Sequence, residues 1–129
     1  MNTIRNIRAS GEDYLEGILV LQKQNVYVRS VDLARYMGFS KPSISYAVKT
    51  LRKSGYLLVD EDGGLELTPI GLEIAEKIYE RHLFFTQWLM DAGISPVTAE
   101  REACQLEHAI SQESFELLRA VYSNSKSGG

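Results

Sequence analysis

The sequence holds a single cysteine, Cys104, among 129 residues, so no disulfide can form within the chain and a disulfide-stapled scaffold is excluded. One thiol fits a reducing compartment and stays free to serve as a ligand. No apolar run approaches the roughly 20 residues that a membrane-spanning helix needs. Residues 1–8 lack the apolar stretch of a secretory signal, and a cytoplasmic location without a membrane partner is expected. Internal repeats and long low-complexity tracts are missing as well. What is present is a composition with 44% hydrophobic and 24% charged residues, enough for one ordinary core and unlike that of a disordered chain.

Charge is unevenly placed. Residues 1–59 hold 9 Lys/Arg against 4 Asp/Glu, whereas residues 60–129 hold 5 against 13. A basic half beside an acidic half suggests a polyanionic partner for the first and a cationic one for the second.

Apolar periodicity predicts a mostly α-helical chain with one hairpin. The first helix is expected over residues 10–23, capped by Ser10, with Tyr14, Leu15, Ile18, Leu19 and Leu21 inward. A short helix over 30–36 ends at Gly38. A third helix over 42–54 is capped by Ser40, opens with Pro42, and buries Ile44, Ala47, Val48 and Leu51. Strands at 56–59 and 65–67 flank the acidic turn Asp60-Glu61-Asp62-Gly63-Gly64. Thr68-Pro69 starts a long helix to residue 90, Ser95-Pro96 another to 110, and Ser111 a last one to 122. The expected organisation is a winged helix-turn-helix DNA-binding domain over residues 1–70, an all-helical dimerisation and metal-binding domain over 71–123, and a polar, frayed tail over 124–129.

The third helix is the expected reader of a major groove. It presents Lys41, Pro42, Ser43, Ser45, Tyr46, Lys49 and Arg52, with Arg29 just before the preceding helix. Short hydroxyls address base edges, while the cations address phosphates. Residues 27–54 carry six basic side chains against one acid, which supports binding to the backbone of double-stranded DNA. The acidic turn of the wing argues that the wing itself adds little affinity.

Three further clusters carry metal-ligand chemistry. Asp13 and Glu16 lie three apart, hence on one helical face. His82 precedes the apolar run Leu83-Phe84-Phe85. Cys104, Glu107 and His108 are spaced i, i+3, i+4, again on one predicted helical face. Together they offer carboxylate, imidazole and thiolate donors, which suit first-row transition metals. Apolar residues of the second half (Leu83, Phe84, Phe85, Trp88, Leu89, Leu117, Leu118, Val121 and Tyr122) exceed what two or three helices bury alone, and a homodimer is expected there.

The segments Glu12-Asp13-Tyr14-Leu15-Glu16, Lys41-Pro42-Ser43-Ile44-Ser45, Leu67-Thr68-Pro69-Ile70-Gly71, Arg81-His82 and residues 102–111 together resemble the diphtheria-toxin-repressor family of metal-dependent transcriptional regulators, in its shorter manganese-transport-regulator form. The resemblance covers about residues 10–122. It implies a dimeric repressor, not an enzyme, that binds an inverted-repeat operator when loaded with a divalent metal and controls metal-homeostasis genes. Carried over by position, Asp13, Glu16, His82, Cys104, Glu107 and His108 are the implied ligands. Asp13 and Glu16 look like the family's manganese branch and Cys104 like its iron branch, so Mn²⁺ and Fe²⁺ both stay open as effector, with Co²⁺ or Zn²⁺ able to substitute. A cation held by these side chains would fix the spacing of two recognition helices, about 34 Å for one turn of DNA. Two other readings are a winged-helix regulator that senses an organic ligand or a partner protein, and a small helical metalloenzyme. The latter usually needs repeated Glu-x-x-His pairs, which the sequence lacks.

Overall fold

The protein was analysed as a computed structural model that describes the backbone of residues 2–24 and 27–128, and the side chains of residues 11–24 and 27–125. Eight elements follow one another: α1 (Asn2–Gln24), α2 (Ser30–Met37), α3 (Lys41–Lys53), β1 (Leu57–Val59), β2 (Leu65–Leu67), α4 (Pro69–Asp91), α5 (Pro96–Leu106) and α6 (Gln112–Gly128). Two compact units divide within α4, between Ile78 and Tyr79, whereas the sequence suggests a boundary between Ile70 and Gly71. The first turns of α4 are tied to the hairpin side, which draws them into the first unit.

Local chemistry sets the elements of that unit. The backbone N–H of Arg29 donates to Asp32 Oδ2 (2.9 Å) at the start of α2, and Gly38 (φ 71°) ends it in the left-handed conformation that a side chain would disfavour. Ser40 Oγ accepts from the Ser43 N–H (3.3 Å) and Pro42 occupies the first turn of α3. Ile44, Ala47, Val48 and Leu51 are buried, one helical face, in a core with Leu15 and Ile18 of α1 and Leu33 of α2. The strands pair antiparallel with Leu57 opposite Leu67 and Val59 opposite Leu65. The Leu65 N–H reaches past the hairpin to the Val28 carbonyl (2.7 Å), so the segment before α2 lines the sheet.

The start of α4 is fastened at Thr68. Its N–H donates to the Tyr56 carbonyl (3.2 Å), its hydroxyl donates to the Gly55 carbonyl (2.8 Å), and the same oxygen accepts from the Gly71 N–H (3.1 Å). Gly71 is buried, and a Cβ there would collide with the Tyr56 carbonyl.

In the second unit, Ser95 and Ser111 cap α5 and α6 through the Thr98 and Ser114 amides (3.4 and 3.1 Å). Phe85, Ala103 and Phe115 form its buried centre, with Phe84, Leu106 and Ile110 packed around them. Leu83, Trp88, Leu117, Leu118 and Val121 stay exposed. Of the residues expected at a dimer surface, Phe85 is instead spent in this core, because its ring meets Phe84, Trp88 and Phe115 within the unit.

Three helix limits differ from the sequence expectation. α1 begins at Asn2 rather than at Ser10: the residues before Ser10 contain no proline and include helix-compatible Ile, Arg and Ala, so the helix propagates through Ser10. The Ser10 side chain, expected to cap, lies outside the described residues. α5 stops at Leu106, short of 110, because the carbonyls beyond it are taken by a side chain of α4. α6 continues to Gly128, through most of the stretch read as a frayed tail, since only the final glycines are strong helix breakers there.

Among the described residues no helix is long and apolar enough to cross a membrane.

Candidate functional site

The first unit presents a polar, cationic helix face. Arg29, Lys41, Pro42, Ser43, Ser45, Tyr46, Lys49 and Arg52, the residues expected to meet DNA, are all exposed, and Tyr46 is 73% exposed despite its aromatic ring. The buried stripe of α3 points this opposite face outward. Ser43 is also part of the helix start, for its Oγ accepts the Ser40 hydroxyl (2.9 Å). Lys53 and Thr50 extend the same exposed surface.

The wing is organised by Asp60, a role the sequence did not reveal. Its Oδ1 accepts from the Gly64 and Asp62 amides (2.8 and 2.9 Å), and the Tyr27 hydroxyl donates to both carboxylate oxygens (2.9 and 3.0 Å). The Gly64 amide, then the Tyr27 hydroxyl, hold the Asp60 carboxyl below its ordinary range. Arg29 lies over the Tyr27 ring, 5.2 Å from its centroid. All three acids of the turn are exposed, and one of them, Asp60, also shapes it.

The second unit brings together three of the six expected metal ligands. His82, on α4, places Nδ1 3.1 Å from Glu107 Oε1 and 3.7 Å from Cys104 Sγ. All three ligating groups lie within 4.8 Å of one another. Glu107 is fully buried (0%), while Cys104 is exposed. Cys104 and Glu107, in that order, hold the imidazole protonated and raise its pKa to about 10, against the opposing effect of burial. Glu107 Oε2 is buried with no hydrogen-bond partner among the described residues. A carboxylate oxygen in that position costs free energy unless something positive meets it. Imidazole, thiolate and carboxylate together form a donor set that a first-row divalent ion satisfies. The residues therefore fit a metal ion, and such an ion competes with the proton on Nδ1. Its apparent affinity is expected to fall as pH is lowered and to rise toward pH 10, which calorimetric titration at several pH values would measure.

α5 ends just before Glu107 rather than at 110. Cys104 is helical, Glu107 is the C-terminal cap with helical backbone angles, and His108, half-buried, follows in the turn; the ligating atoms of Cys104 and Glu107 lie within 4.8 Å of each other, as do those of Glu107 and His108. Asp13, half-buried, and Glu16, buried, stand on α1 in the first unit.

Arg81 is the second residue that sequence reasoning missed. Its Nη1 donates to the carbonyls of Glu107 (2.9 Å) and Ile110 (2.7 Å), and its Nη2 to Gln112 Oε1 (3.0 Å). The one available signal was its place immediately before His82.

Two family models match this chain: the iron-dependent repressor N-terminal DNA-binding domain over residues 7–65, and the iron-dependent repressor metal-binding and dimerisation domain over residues 68–127. An HTH-type transcriptional regulator of Methanocaldococcus jannaschii is 34% identical over 110 residues, covering 84% of this chain and 88% of the relative. The transcriptional regulator MntR of Salmonella typhimurium is 34% identical over 109 residues, covering 84% of this chain and 69% of the relative. The solved structure of the manganese regulator SloR superposes with a TM-score of 0.79 at 29% identity, over 88% of this chain and 53% of that one, so the chain spans about half the length of that protein. These relatives are regulators of transcription rather than enzymes. The chain belongs to the iron-dependent repressor family, with that family's DNA-binding domain followed by its metal-binding and dimerisation domain.

Proposed function

We propose that this protein is a homodimeric repressor whose binding to an inverted-repeat operator depends on a divalent transition metal, Mn²⁺ or Fe²⁺, and which controls metal-homeostasis genes from the cytoplasm. The observation that carries the reading is the His82, Cys104 and Glu107 cluster with its buried, unpartnered Glu107 oxygen. His108 extends that donor set from the same turn, and Asp13 and Glu16 add two carboxylates, as the sequence expects. When bound, the cation supplies the positive charge that lets these anionic groups lie together. Glu107 would hold it as the fixed donor, Cys104 as the solvent-facing one, and His82 through the nitrogen that otherwise carries a proton. The likeness to the manganese regulator SloR supports a hard ion, while the thiolate favours softer ones. Arg29, Lys41, Lys49 and Arg52 supply phosphate contacts, and Ser43, Ser45 and Tyr46, next to Pro42, face the bases. The exposed Leu83, Trp88, Leu117, Leu118 and Val121 offer the second copy an apolar surface.

The test is binding to duplexes selected from a randomised library, measured by fluorescence anisotropy under reducing conditions. Adding Mn²⁺ or Fe²⁺ is expected to tighten binding roughly 30- to 150-fold, a coupling of about 2–3 kcal/mol. If a chelator leaves the affinity unchanged, the proposed switch is wrong.

A further inference from the structure

We infer that Arg81 is a positioning residue for the metal site: its guanidinium holds the backbone turn from which Glu107 projects, while the next residue, His82, holds the Glu107 carboxylate. The inference rests on the reading of His82, Cys104 and Glu107 as metal ligands.

A helix end leaves carbonyls without partners, and α5 ends one residue before Glu107. Arg81 answers that need from another helix. One nitrogen spans the Glu107 and Ile110 carbonyls, and a second takes the Gln112 side chain at the head of α6. The guanidinium carbon also lies 5.7 Å from the centroid of the buried Phe115 ring, which limits its freedom. Consecutive residues on a helix point about 100° apart. Arg81 and His82 use that divergence to reach the main chain and the side chain of one residue, Glu107. The backbone of Glu107 and one of its oxygens are thereby fixed, so that the direction of Oε2 follows. The planar fork matters beyond its charge, because a lysine offers a single ammonium in place of two nitrogens held in one plane.

Co²⁺ serves as the probe, added to the full-length reduced protein, with affinity measured by competition against a chromophoric chelator and geometry by the visible and thiolate charge-transfer bands. The intact protein is expected to show a thiolate band that Cys104→Ser removes. Arg81→Lys keeps a cation beside the turn and is expected to weaken Co²⁺ binding about 10- to 100-fold, the range for groups that orient metal ligands, and to alter the bands at saturation. A purely stabilising role would lower the melting temperature while leaving both the affinity of the folded protein and its spectrum alone. Gln112→Ala removes one contact and is expected to act in the same direction with a smaller effect, so it decides the matter should Arg81→Lys fail to fold. Wild-type affinity and spectrum in the folded variants would overturn the role of Arg81 while leaving the metal site standing. Absence of Co²⁺ binding to the unaltered protein would overturn the metal site and this inference with it.

Discussion

Glu107→Ala is expected to abolish the metal response while leaving a folded protein. Glu107 is the one fully buried ligand candidate, and it meets His82 through one oxygen with the other unpartnered. Changes merely around metal ligands cost about 10- to 100-fold in affinity, so loss of this ligand should exceed about 100-fold. The metal-free protein should suffer far less. Losing the partner of a buried charge costs about 3–5 kcal/mol at full burial, but His82 is 15% exposed, retains Cys104 nearby, and can release its proton. Removing the unsatisfied Oε2 returns about 1–3 kcal/mol. A net change within roughly 2 kcal/mol follows from those opposing effects. Thermal unfolding in chelator would measure it, and anisotropy with and without Mn²⁺ would measure the lost response. Retention of metal-tightened DNA binding by this variant would remove Glu107 from the site.

Phe115→Ala is expected to cost the second unit about 3–5 kcal/mol, a large part of the 5–15 kcal/mol that an ordinary domain has. Phe115 is 1% exposed and anchors α6. Phe84 meets its edge at 5.4 Å between centroids, Phe85 lies at 6.1 Å, and the guanidinium groups of Arg81 and Arg119 sit 5.7 and 5.1 Å from its centre. Deleting the ring leaves a cavity and strips two cations of their aromatic platform. Arg119 keeps its ion pair with Glu80, which is partly exposed and contributes little. Trp88, the single tryptophan, stacks on Phe84 in the same cluster and reports on it. The urea midpoint followed by its fluorescence should drop sharply. A midpoint unchanged from that of the parent would mean that α6 is held by something other than this ring.

Much of the fold was legible because its signals are local. Ser40 with Pro42, Thr68 with Pro69, and Ser95 with Pro96 each mark a helix start through atoms within four residues, and each helix starts there. The buried stripe of α3 could be read from its spacing, which also fixed the outward placement of Lys41, Ser45, Tyr46 and Lys49. What escaped the sequence depends on distant partners. The end of α5 is set by a guanidinium 26 residues upstream of Glu107, and the carboxylate of Asp60 is held by a tyrosine 33 residues before it. Read locally, Asp60 was one more negative charge in a turn. For the ligands, residue type and spacing named the candidate donors and brought Cys104, Glu107 and His108 to one side of the chain, but not the end of α5 at Leu106 that makes Glu107 its cap.

Gly71 touches neither the exposed face of α3 nor the donor cluster, yet it allows the first turn of α4 to lie against the Tyr56 carbonyl, where Thr68 ties the two segments together. In a genetic selection for loss of repression, alanine at this position would therefore score beside lesions of the ligands and the recognition helix. A map of such alleles onto the chain would then report where the main chain tolerates no methyl group, as well as where chemistry occurs.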